Sequence, residues 1–149
     1  MKKLFSHLFR LFILFLIGGF IYMGIELLWR GRTHWTMGIV GGICFVLIGL
    51  INELFTFEMY ILTQAIIGAI LVTIVEYISG CIINIHFGLA VWDYSNLPFN
   101  IQGQVCLLFS FLWVLLSVVA IYADDILRNK LFGEEMKKYK WFIFRNCNK

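Results

Sequence analysis

Three carboxylates stand where chemistry is conceivable. Glu26 and Glu76 each interrupt an apolar run, and Asp93 sits in the polar, aromatic stretch WDYSNLPFN. A carboxylate inside a membrane span costs about 2.5–3.5 kcal/mol at mid-bilayer on insertion scales, and less near the interface, so it turns inward and takes a partner. Two readings follow. In the functional one, Glu26 and Glu76 with Trp92, Asp93, Tyr94, Asn96 and Asn100 form a proton or cation site, or dock a substrate amine or guanidinium. In the structural one, Glu76 pairs with Arg30 or Arg32, or accepts hydrogen bonds from Tyr22, Tyr94 or the loop backbone. Both stay open at this point.

Other chemistries find little support. His34 and His86 could join the carboxylates around a metal, but no ligand spacing fixes them, so no metal is expected. Cys44, Cys81, Cys106 and Cys147 form no C-x-x-C pair, which argues against zinc and thioredoxin-type chemistry. No nucleophile carries a readable base and no glycine-rich phosphate cradle exists. Neither an enzyme nor a resident cofactor is expected.

The elements that must position these residues are membrane helices. Of the 149 residues, 61% are hydrophobic and 14% charged, against about a quarter charged in soluble domains. The expected fold is all-α, an integral membrane four-helix bundle in one domain, 1–149. Its helices are expected at about 11–29, 37–55, 59–83 and 105–123, with a loop over 84–104 and an amphipathic tail over 124–149. The opening MKKLFSHLFRLFILFLIGGF has the outline of a signal peptide without a small-x-small cleavage site, and reads as an uncleaved first span. Gly38 and Gly42 let another helix approach closely, in this molecule or a neighbouring one. Thr56 suits the cap of the third helix, with Glu58 in its first turn. Asp124 and Asp125 close the fourth.

Orientation follows from the basic residues. Lys2, Lys3 and Arg10 precede the first span and seven Lys or Arg follow the fourth, so ten of the twelve lie toward the two termini. The positive-inside rule makes that side cytoplasmic and the loop between helices 3 and 4 extracytoplasmic. Glu26 then lies ~22 Å along a helix begun near Leu11, and Glu76 ~25 Å along one begun near Met59, both in the outer third. Arg30, Arg32 and the loop share that level. A formal charge of +3 concentrated at the ends makes the lipid bilayer the expected partner and nucleic acid an unexpected one.

The run EYISG, followed by VWDYSNLPFNIQGQVCL and a helix containing Trp113, resembles the ABC-transporter type IV family of small bacterial membrane proteins, also labelled ABC transporter permeases. Glu26 fits a first-helix glutamate of that family. The segment RGRTHWTMGIVGG departs from the proline-containing motif that members often carry there. The resemblance implies a multi-pass protein of the cell membrane serving transport. Four helices scarcely enclose a pathway alone, so homo-oligomers, other membrane subunits or a separate ATPase are the expected partners. The functional expectation is a permease-like subunit with an outward-facing carboxylate and aromatic cluster. The alternative is a non-transport accessory or envelope-interaction protein.

Overall fold

A computed structural model describes residues 2–54 and 59–140. The expected roles of Thr56 and Glu58, and of the tail beyond Lys140, lie outside the described residues. The chain forms α1 (Lys2–Arg30), α2 (Trp35–Leu54), α3 (Ile61–Gly80) and a π-helical segment (Cys81–His86). A two-residue antiparallel pair follows, β1 (Asn100–Ile101) with β2 (Val105–Cys106), and then α4 (Leu107–Phe132).

Among the described residues, four helices have membrane-spanning length and hydropathy, the third formed by α3 together with the π-helical segment. At a rise of ~1.5 Å per residue, α1 is about 43 Å long and exceeds a hydrocarbon core of ~30 Å. Tilt or projection at its ends accommodates the excess. The spans are apolar around most of their circumference, as bilayer-facing helices must be. Leu28, Leu115 and Val119 are among the side chains left exposed by the chain's own packing.

α1 lies along α2, α2 meets α3 and α4, and α3 lies along α4, while α1 and α4 barely touch. The α1–α2 contact explains the glycines. A Cβ at Gly19 would strike the Gly38 carbonyl oxygen, one at Gly38 would lie 2.6 Å from Met23 Sδ, and one at Gly42 would lie 2.5 Å from the Phe15 carbonyl oxygen. The Gly38–Gly42 pair is therefore used inside this chain, for close approach to α1. A core of Val40, Cys44, Ile48, Ile61, Val72 and Ile121 joins α2, α3 and α4.

α4 continues beyond Asp124 and Asp125, where the sequence reading placed its end, and stops at Phe132. Arg128, one turn further on, supplies the counter-charge that lets Asp124 sit within the helix, and Asp125 accepts from Tyr139. Gly133, at φ 69°, then ends it in the left-handed region. Its N–H donates to the Asn129 carbonyl, and the Glu134 N–H donates to that of Arg128. Residues 134–140 run without helix or strand across the end of the bundle, where the Ile61 N–H donates to the Lys140 carbonyl at 3.1 Å.

Candidate functional site

Because α1 and α4 diverge, a cleft runs between them, floored by α2 and α3. Its walls are Ile21, Ile25, Leu116 and Val119, and its floor includes Val40, Cys44, Val72 and Glu76. Toward the loop it widens to a volume of about 360 Å³ bounded by Glu26, Trp29, Arg30, Tyr94, Phe109 and Leu112. Tyr22, Ile25, Met37, Trp92, Trp113 and Leu116 border both parts, so the two are continuous.

Two carboxylates border this cleft, Glu76 in its floor and Glu26 at its wider end. Glu76, on α3 and 4% exposed, accepts from Tyr94 Oη at 3.0 Å on one oxygen and from Trp113 Nε1 at 2.9 Å on the other. Each oxygen of a buried anion thus has a donor, which offsets much of its desolvation cost. Glu26, 7% exposed, pairs with Arg30 one turn along α1 and accepts from Thr33 Oγ1 at 2.6 Å. Arg30 also donates to the Val91 carbonyl at 3.2 Å, tying α1 to the loop. Tyr22 lies beside Trp113 with ring centroids 6.0 Å apart. Arg32 is exposed beyond the end of α1.

The loop is organised around its own amides. Asn84 Nδ2 donates to the Trp92 carbonyl and to Gln104 Oε1, and its Oδ1 accepts from the Val91 N–H at 2.8 Å. The buried Trp92 indole donates to the Gln104 carbonyl at 2.9 Å. Asn100 Nδ2 donates to the Leu97 and Ser95 carbonyls, and its Oδ1 accepts from Gly103 N–H. Asp93 accepts from the Ser95 hydroxyl and N–H. Those two donors, the hydroxyl foremost, hold the Asp93 carboxyl below its ordinary value. Burial, with the Glu76 charge beside it, raises the Tyr94 hydroxyl far above the usual tyrosine value, so Tyr94 stays protonated and donating.

Glu26, Glu76, Trp92 and Tyr94 therefore meet at the cleft, whereas Asp93, Asn96 and Asn100 lie out on the loop, with Asp93 and Asn96 exposed. The expectation of an outward-facing carboxylate and aromatic cluster is corrected. Both glutamates are buried and engaged by donors, because a carboxylate on an apolar span is least costly when turned toward donors. Nor do the loop aromatics form one cluster. Trp92 points inward, Tyr94 stacks on Phe109 at 4.6 Å, and Phe99 stands 79% exposed elsewhere.

A second polar assembly, at the opposite end of the bundle, escaped the sequence reading. Arg128, 6% exposed, pairs with Asp124 at 2.6 Å through Nε and with Glu53 through Nη1, and lies 3.7 Å from Glu134. Arg10 reaches Glu134 at 2.8 Å and His7 lies 3.7 Å from Glu53. Tyr139 donates to Asp125 and accepts from Asn52. The i, i+4 spacing of Asp124 and Arg128 was the available signal; the partnership with Glu53 had none. At the first site, Asn84 and Trp113 also went unassigned.

The family model described as Putative ABC-transporter type IV matches residues 11–145. Nothing among curated proteins or solved structures matches the chain. The matched span takes in the four membrane-length helices from Leu11 onward, the loop, and the Glu53, Asp124, Arg128 and Glu134 members of the second assembly, leaving out His7 and Arg10. Membership of a permease-type family accords with a non-catalytic membrane subunit, and this multi-pass chain belongs to the ABC-transporter type IV family.

Proposed function

We propose that this chain is the membrane subunit of a transport assembly, and that the cleft between α1 and α4 receives the solute. The observation carrying the reading is that cleft: apolar along its walls, with a polar end at Glu26, Arg30 and Tyr94. The bundle leaves one side unclosed, so a pathway needs a second copy or another subunit to complete it. With both glutamates engaged by donors, solute recognition falls to the cleft walls and the free donor capacity of Arg30 rather than to an unpaired carboxylate.

In this reading the termini and the Arg128 assembly face the cytoplasm, as ten of twelve basic residues toward that end favour, and the loop faces outward. Energy comes from a separate ATPase, docking against residues 134–140 and the adjacent ends of α2 and α4. Affinity purification of the full chain in mild detergent is expected to bring down a nucleotide-hydrolysing subunit. Its turnover should fall when Ile25→Trp fills the cleft. A preparation lacking any such subunit, or turnover indifferent to Ile25→Trp, would overturn the proposal.

A further inference from the structure

We infer that the ligand of this cleft is a membrane amphiphile with an acyl-type chain and a phosphate-class anionic headgroup, the chain lying between α1 and α4 and the headgroup meeting Arg30. The inference rests on the cleft as the solute site and adds the chemistry of the solute.

Length and wall chemistry favour a chain. From Phe109 to Ala123 the lining of α4 covers fifteen residues, about 21 Å from first to last at the helical rise. One leaflet of a ~30 Å hydrocarbon core is shorter than that, so a lipid chain is accommodated along its whole length. A partner's helix fits less well. Helices associate in lipid by close approach over small residues, and the glycines lining the cleft are already covered. A Cβ at Gly41 would lie 2.5 Å from Tyr22 Cβ, and one at Gly18 would strike Phe45. Facing the cleft from α1 and α4 are the bulky Ile21, Ile25, Leu116 and Val119, with Ala120 and Ala123 between them on α4. A flexible chain tolerates such walls, whereas a rigid cylinder does not.

Charge sets the head. Around the wide end, Glu26 is matched by Arg30, and Arg32 stands exposed two residues further along the chain. With Glu26 and Glu76 both buried and engaged by donors, the accessible charge bordering the cleft is the Arg30 guanidinium, which favours an anion. Arg30 borders the cleft, its side chain is 25% exposed, and it uses one N–H toward Glu26 and one toward the Val91 carbonyl. A guanidinium has five N–H groups, so three remain, and its planar fork suits phosphate oxygens. Trp29 and Trp35, 78% and 64% exposed, flank this end as interfacial aromatics do. The headgroup thus meets Arg30 at the level of the membrane surface.

The test uses the full chain in neutral-lipid nanodiscs and three single-chain probes with brominated chains: a lysophosphatidate, an uncharged monoacylglycerol and an alkyl trimethylammonium. Bromine quenches indole on contact, and Trp92 and Trp113 border the cleft, so tryptophan quenching reads occupancy. The lysophosphatidate should bind about tenfold or more tightly than the uncharged probe, and the cationic probe should bind worst. Arg30→Gln should remove that preference while leaving chain binding, and Arg30→Lys should restore part of it. Arg32→Gln, away from the Glu26 pair, should weaken the phosphate probe mildly. Val119→Phe, which fills the cleft without adding an indole, should abolish cleft quenching by all three. Equal binding of the three heads would overturn the headgroup assignment while the cleft stands as a solute site. Quenching unaffected by Val119→Phe would overturn both.

Discussion

The two polar assemblies of this bundle solve the same problem differently. Near the loop, Glu76 and Glu26 each receive two donors, drawn from Tyr94 and Trp113 in one case and from Arg30 and Thr33 in the other. At the opposite end a single guanidinium, Arg128, is shared among Asp124, Glu53 and Glu134. Asp124 Oδ1 and Arg128 Nη2 find no partner there among the described residues. One end is a set of separately satisfied acids, and at the other three acids share one hub. Separate donors tolerate the loss of a member; a shared hub does not.

The largest break in that comparison should come from Arg128→Met. Removing the hub leaves buried Asp124 beside Glu53 and Glu134 without their shared cation, and the cost should be about 3–5 kcal/mol. Thermal unfolding in a fixed detergent should show it as a large fall in midpoint; a change no greater than that of an exposed-site variant would refute the hub. Glu76→Gln should cost less, about 1–3 kcal/mol, because the amide keeps one acceptor but turns an NH₂ toward a donor. Gly49→Ala should fall in the same range, since its Cβ would lie 2.6 Å from the Asp124 carboxylate carbon. Gly24, with nothing within 4 Å of a built Cβ, is its control, and Gly24→Ala should gain about 0.5–1 kcal/mol in helix stability.

Glu53→Gln should be the mildest at the hub, under about 1 kcal/mol, because the Glu53 side chain is 29% exposed and Arg128 retains two other carboxylates. A tyrosine also reports on each end. Tyr94 meets Glu76 and Tyr139 meets Asp125, and both hydroxyls are raised above the ordinary tyrosine value, chiefly by burial. A raised folded value means the stabilisation is complete below the unfolded pKa of ~10 and is lost as pH climbs above it. Unfolding midpoints measured from pH 8 to 11 should decline at the alkaline end, and Tyr94→Phe and Tyr139→Phe should each flatten part of that decline. A flat native profile would remove the comparison at this level.

The fold was largely legible because a bilayer imposes one demand, internal satisfaction of the backbone, on every apolar run of sufficient length. The places of Glu26 and Glu76 along their helices could be counted for the same reason. Their orientation could not. A donor such as Trp113 lies thirty-seven residues from Glu76, and nothing in an indole on a helix face says which acid it serves. Asp124 and Asp125 looked like a helix end because paired acids commonly close a span. Arg128 lay one turn beyond and Glu53 on another helix, and only the packing of α2 against α4 shows that they belong together.

The Ile61 N–H at the start of α3 donates to the carbonyl of Lys140. During synthesis, α3 and α4 are both made before that carbonyl exists. The start of α3 therefore waits for a partner some eighty residues further along the chain, beyond the last span. The end of the bundle that holds the hub is closed by a segment made after α4, so a chain truncated before Lys140 would carry the four helices and an incomplete clasp.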